Sequence, residues 1–186
     1  MNRHCHAIVT IAGHNKHMQN LRLRVMRPTD LDTVLRLNNE AAPAVNELTA
    51  ESLTAVRDMC DVALVAANRD GDVIAFLLSL AGGQDYDSEN YHWFEERHVR
   101  HQYIDRIVVG EQARGTGVGR AMYESVFERA RERSVTDVTA EVNLRPANPR
   151  SMAFHEHLGF RRLGELETKG ETVRVALLAR AVDTGF

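Results

Sequence analysis

The stretch VVGEQARGTGVGRAM, residues 108–122, is where two hydrophobic periods meet. Before it, YIDRIVV (103–109) is dense in β-branched residues and reads as a strand. After it, Val118, Ala121, Met122, Ser125, Val126 and Ala130 fall on one stripe of a helix from Gly117 to about Arg133. Between them lie Gly115, Gly117 and Gly119. Glycine tolerates positive φ and lets a ligand approach the backbone closely. The first N–H groups of a helix have no intrahelical partner. A strand running through spaced glycines into a helix start is therefore an anion site, most often for phosphate.

The two commonest nucleotide loops do not fit. A Walker loop needs Gly-Lys-Ser/Thr, and no lysine is present here. A dinucleotide fingerprint needs glycine at position 120, which is Arg120, and the acid expected about 20 residues later is poorly placed.

Outward from this turn the chain alternates strands and helices. Leu21, Leu23 and Val25 alternate as a strand, and a helix over 30–39 follows, with Thr29 or Asp30 as its cap. Thr49 caps a second helix through Met59. VALVAAN (62–68) and VIAFLLSLA (73–81) flank Asp70-Gly71, a hairpin turn. After the glycine turn and its helix come a strand at 137–142, a helix opened by Asn148-Pro149 and stopped by Gly159, and strands at 160–166 and 171–179. This predicts one α/β domain over 21–180, a mixed central sheet of six to seven strands with four helices. Residues 1–20 read as a tail or a mis-set start, with Met18 a candidate start, and 181–186 as a C-terminal tail.

The chain has 186 residues, 44% apolar, 26% charged and a net charge of −3, which fits a globular domain and argues against a nucleic-acid partner. No apolar run spans a bilayer, so no membrane role is expected. Cys5 and Cys60 are too few for a disulfide framework and lack zinc spacing; a reducing cytoplasm is the expectation. His4, Cys5, His6, His14 and His17 are the one candidate metal cluster, weighed against an ordinary tail, and no metal is expected.

QARGTG (112–117) resembles the Q/R-x-x-G-x-G/A signature of the GNAT acetyltransferases, and NPRSMAFHEHLGF (148–160) resembles their second signature. The order of elements is also similar to theirs. The resemblance implies a GNAT-like fold and an enzyme that transfers acetyl from acetyl-CoA directly to an amine. It implies that Gln112, Arg114, Gly115, Thr116, Gly117, Val118, Gly119 and Arg120 meet the pyrophosphate. Ile107, Val108 and Val109 would pair with the pantetheine arm, and Asn148 and Ser151 would lie near CoA. A homodimer is open, since members of the family often dimerise.

Direct transfer needs a base for the amine, a stabilised oxyanion and a proton for the thiolate. The family's usual tyrosine acid is replaced by His155, whose ordinary pKa suits proton transfer near neutrality. Candidate bases are His101, Asp105 and Glu141; alternation along one strand puts Asp105 on a face with Tyr103 and Ile107. Cys60 reads as structural. For the acceptor, an amine of unknown identity, the resemblance implies Asn38, Asn39 and Glu40, in the stretch 38–46 that joins the first two helices and borders the acceptor site in the family. Tyr91, Trp93 and Tyr103 are added from and after the long break at 82–102. That break carries Asp85, Asp87, Glu89, Glu95 and Glu96, which could draw a cation. A non-catalytic acyl-CoA sensor is the rival reading, because the tyrosine is missing. In SMAFHEHLGF (151–160), His155 and His157 sit about 200° apart on a helix and cannot share a metal. His157 should face solvent.

Overall fold

The computed structural model describes residues 21–97 and 100–183, so the histidines and cysteine of residues 1–20 lie outside the described residues. The chain runs β1 (Arg22–Val25), α1 (Leu31–Glu40), α2 (Ala50–Met59), β2 (Val62–Ala67), β3 (Val73–Ala81), α3 (Glu89–Glu95), β4 (His101–Val109), α4 (Val118–Glu132), β5 (Asp137–Arg145), α5 (Pro149–His157), β6 (Arg161–Thr168) and β7 (Val173–Ala181). The expected α/β domain with a mixed sheet is present, with seven strands and five helices among the described residues. The helix added to the expected four is α3, which is too short to show a helical period. Its start is marked only by Ser88, whose hydroxyl accepts from the Tyr91 amide. At the C-terminus β7 reaches Ala181, and the Val182 amide bonds to the Thr136 carbonyl, so the domain extends past 180.

Capping at two helix starts follows the sequence. Thr49 Oγ1 accepts from the Ser52 amide at 3.2 Å, and Asn148 Oδ1 from the Ser151 amide at 3.1 Å. Asp30 does not cap α1; Arg24 holds both of its oxygens, at 2.6 and 2.8 Å.

The sheet order is β1-β2-β3-β4-β5-β7-β6. Every neighbouring pair is antiparallel except β4–β5, which is parallel. β3 is buried at every position because both of its faces are covered. Ile74, Ala75 and Leu77 pack with α4 and α5, while Phe76 and Leu78 pack with α1 and α2. Leu80 joins Tyr91, Phe94, Tyr103 and Leu177 in a third cluster around α3.

Two irregularities in β4 shape the rest. The first is a bulge: Leu78 pairs with Arg106 but Ser79 with Ile104, leaving Asp105 without an opposite residue. Alternation is broken there. Ile107 packs toward α4 and Tyr103 toward α3, so the expected common face of Tyr103, Asp105 and Ile107 does not form. The second is a parting of strands. β4 and β5 pair only from His101↔Asp137 to Ile104↔Ala140. Beyond that, β4 stays with β3 and β5 with β7, and a cleft opens between them.

Leu77→Ala, in the fully buried centre of β3, is expected to destabilise the fold by about 2–5 kcal/mol. Val25→Ala, on the exposed edge strand, should change it by less than about 0.5 kcal/mol in denaturant titrations.

Candidate active site

The cleft between the parted strands is part of a cavity of about 720 Å³. One end is the glycine turn. Gly115 and Gly117 have φ of 76° and 90°, a region that side chains with Cβ avoid, so the turn needs glycine at both. Gly119 is small for another reason: a Cβ there would stand 3.3 Å from Phe154 Cζ on α5. The first i→i−4 bond of α4 runs from the Ala121 amide to the Gly117 carbonyl. The amides of Val118, Gly119 and Arg120 precede it and are available to an anion.

The free edge of β4 forms the next part of the wall. Gly110 N–H bonds to the Ile74 carbonyl on β3. Alternation therefore turns the Val108 amide toward β3 and the Ile107 and Val109 amides into the cleft. Of the three strand residues expected to meet pantetheine, Val108 has its amide spent inside the sheet. Asn148, Ser151, Arg114 and Arg120 also line the cavity. Gln112 and Thr116 do not; their side chains border a separate shallow hollow with Asn68 and Asp72. Free amides at a helix start, an unpaired strand edge and arginines at the rim together fit the polyanionic head and amide-bearing arm of acetyl-CoA.

The carboxylates stand deeper. Asp105 is satisfied on both oxygens: Tyr86 Oη donates to Oδ1 at 2.6 Å and Arg106 Nε to Oδ2 at 2.5 Å. Glu141 is different. Its Oε2 is sealed from solvent and has no hydrogen-bond partner, as are Tyr103 Oη and Asn90 Oδ1. Burial, together with the negative charge of Asp105, pushes the Glu141 carboxyl up to about 8. Glu141, with the polar side chains of Tyr103 and Asn90 beside it, is thus the carboxyl whose pKa is suited to proton exchange near neutrality.

His155 is buried, and both ring nitrogens are engaged. Nδ1 lies 2.8 Å from the Ser151 carbonyl and Nε2 2.7 Å from Tyr123 Oη. A carbonyl can only accept, so Nδ1 carries the proton, Nε2 accepts, and the Tyr123 hydroxyl donates. Burial holds the imidazole pKa below its ordinary value, in keeping with a neutral ring. In this arrangement His155 presents no spare proton to the cavity, which argues against the expected acid role. His157 is exposed, as its helical angle predicts. Tyr123 was not among the expected site residues. It lies one position past Met122 on α4 and lines the cavity beside His155.

Several expected site residues fall elsewhere. His101 is buried between Glu95 Oε1 at 2.6 Å and Thr139 Oγ1 at 3.0 Å, outside the cavity. Asn38 and Asn39 shape the segment after α1 and do not line the cavity: Asn38 Oδ1 accepts from Arg106, and Asn39 bonds both the amide and the carbonyl of Leu48. Glu40 does line it, though Arg36 pairs with it. Tyr91 donates to the Ala81 carbonyl within the third cluster, and Trp93 lies under Arg97 and against Gly164. Of residues 82–102, Tyr86, Ser88 and Asn90 face the cavity, and the acids do not. Glu95 holds His101, Glu96 pairs with Arg97, and Glu89 accepts from the Lys169 amide. Cys60 donates to the Val56 carbonyl, and burial pushes its thiol up, which leaves no thiolate. Among the described residues no cluster could hold a metal ion, and no helix is long and apolar enough to cross a membrane.

Residues 31–160 match the model of the acetyltransferase (GNAT) family. Ard1 from Thermoplasma volcanium superposes with a TM-score of 0.72 at 18% identity, over 88% of this chain and 98% of its own. NAA60 from Arabidopsis thaliana in complex with a bisubstrate analogue superposes at 0.71 and 19% identity, over 89% and 99%. A phosphinothricin acetyltransferase from Sinorhizobium meliloti in complex with AcCoA gives 0.67 at 19%, over 89% and 90%. Among curated proteins none matches this chain in sequence.

The Tyr123–His155 bond makes a thermodynamic prediction. Tyr123→Phe leaves Nε2 buried without a donor, and His155→Phe leaves the phenol without an acceptor, each costing about 1–3 kcal/mol. In a double-mutant cycle read by chemical denaturation, the double variant should lose less than the sum of the two.

Proposed function

This chain belongs to the acetyltransferase (GNAT) family, and from that premise we propose that it transfers an acetyl group from acetyl-CoA directly to an amine. The observation that carries the reading is continuity. A single cavity runs from the free amides at the start of α4, along the unpaired edge of β4, to the Glu141 carboxyl. Acetyl-CoA supplies the activated thioester; this chain's residues bind it and manage the protons.

The amides of Val118, Gly119 and Arg120, with Arg114 and Arg120 at the rim, hold the pyrophosphate. The Val109 and Ile107 amides face the cleft, where a thioester carbonyl would meet them as oxyanion donors. Glu141 takes one proton from the incoming ammonium, the neutral amine attacks the thioester carbon, and the C–S bond breaks, the second proton lost by the nitrogen ending on the CoA thiolate. Asp105, bound on both oxygens, stays in place and raises the proton affinity of Glu141 by its charge. The commitment of both His155 nitrogens favours one rival, an acyl-CoA-binding sensor without turnover. CoA binding by calorimetry with no thiol release across an amine panel would establish that rival instead.

Glu141→Gln should keep CoA affinity and lower kcat/KM by about 10²–10⁴-fold. In the wild type kcat/KM should rise with pH and level off above about 8, the region to which burial moves this carboxyl. The folded-state pKa lies above the unfolded one, so the stability this group gives to the fold is full in acid and is lost as pH rises through about 8. Thermal unfolding of Glu141→Gln should therefore lack the loss that the wild type shows as pH rises from about 4.5 to about 8, and the two should run parallel above that.

A further inference from the structure

The acceptor end of the cavity is bounded by two segments from opposite sides. Glu40 at the end of α1, with Ala44 and Asn46 from the chain between α1 and α2, forms one side; Thr168 at the end of β6, Lys169 in the turn and Val173 at the start of β7 form the other. These segments are joined across the mouth, where Lys169 Nζ donates to Asn46 Oδ1.

Both halves of this bridge are braced. The Asn46 carbonyl accepts from Asn38 Nδ2 at 2.8 Å and from Arg106 Nη1 at 3.4 Å, while Asn39 fixes Leu48 through two bonds of 3.0 Å. On the other side Lys169, Gly170 and Glu171 are consecutive left-handed residues, with φ of 54°, 62° and 66°. Two of the three carry side chains, so the turn is held against backbone preference. The contacts holding it are Lys169 N–H to Glu89 Oε2, Arg145 Nη2 to the Glu171 carbonyl, and Thr172 Oγ1 to the Lys169 carbonyl. A third tie, Asn143 Nδ2 to the Pro43 carbonyl, anchors the α1–α2 segment over β5.

We propose that this Asn46–Lys169 bridge selects the acceptor class, and that the enzyme acetylates a compact primary amine in preference to the N-terminus of a polypeptide. A compact amine can lie wholly beneath the bridge, between it and Glu141. A polypeptide must leave its remaining chain in the mouth that the bridge crosses, and would have to part the Asn46 and Lys169 side chains. The proposal rests on the acetyl-transfer reading above.

The test uses the full chain with acetyl-CoA and a thiol-release readout. One acceptor set holds free amino acids and small amino alcohols; the other holds eight-residue peptides with varied free N-termini. In the wild type, kcat/KM for the best compact amine should exceed that for the best peptide by about 100-fold. Lys169→Ala and Asn46→Ala should each narrow this ratio by about tenfold, by opening the mouth to peptides. A wild type that prefers peptides overturns the proposal and leaves acetyl transfer intact, as does a ratio that neither variant moves. No turnover of either set, with CoA bound in calorimetry, overturns the acetyl-transfer reading and this proposal with it.

Discussion

A backbone N–H or C=O removed from bulk water needs a partner, and a sheet normally supplies one on each side of every interior strand. β4 is an interior strand that loses its partner midway, when β5 leaves it after Ile104↔Ala140. The rest of the molecule is arranged around that break. β3 holds β4 straight to Val109, β7 draws β5 away to Arg145, and α4 begins where the exposed edge ends. The result is a row of unsatisfied amides leading to a helix N-terminus. A ligand with acceptors along its length and negative charge at one end completes the hydrogen bonding that the sheet leaves open.

The bulge at Asp105 joins this cleft to the acceptor side. By adding a residue to β4 it brings Asp105 and Arg106 together against Tyr86, and sends the Arg106 guanidinium to Asn38 and the Asn46 carbonyl. A buried ion pair of this kind gains little net stability over an apolar replacement, because desolvation offsets the attraction. Its value here is geometric. It locks one carboxylate, places that negative charge near Glu141, and ties the chain between α1 and α2 to the strand that bears the free edge.

The parts legible in the sequence were those with a local cause. The glycine turn, the caps at Thr49 and Asn148, the hairpin at Asp70-Gly71 and the opposed faces of His155 and His157 depend on a few adjacent residues. The rest depends on contacts between distant segments. The bulge appears only when Leu78 and Ser79 find their partners on β4. Asn38 and Asn39 read as acceptor ligands because their chain region borders the site, yet their side chains turn back to bond Arg106 and Leu48. Trp93 and Tyr91 read as pocket walls because aromatics stood in a long irregular stretch; folding of α3 took them into a core of their own. Tyr123 had a signal that passed unused. The apolar stripe of α4 covers both sides of Met122, which places position 123 against α5 and its histidine.

Asp105 and Glu141 show how one cleft assigns different work to the same functional group. Both lie just beyond the point where their strands part, on opposite walls of one cavity. Asp105 meets a phenol and a guanidinium and has both of its oxygens bound. Glu141 is half-buried with its Oε2 sealed from solvent, and desolvation together with the charge of Asp105 pushes its carboxyl up to about 8, where it can exchange protons near neutral pH. Removing either environment would undo the distinction. The division of labour is therefore a property of the parted strands and the bulge, and neither carboxylate carries it alone.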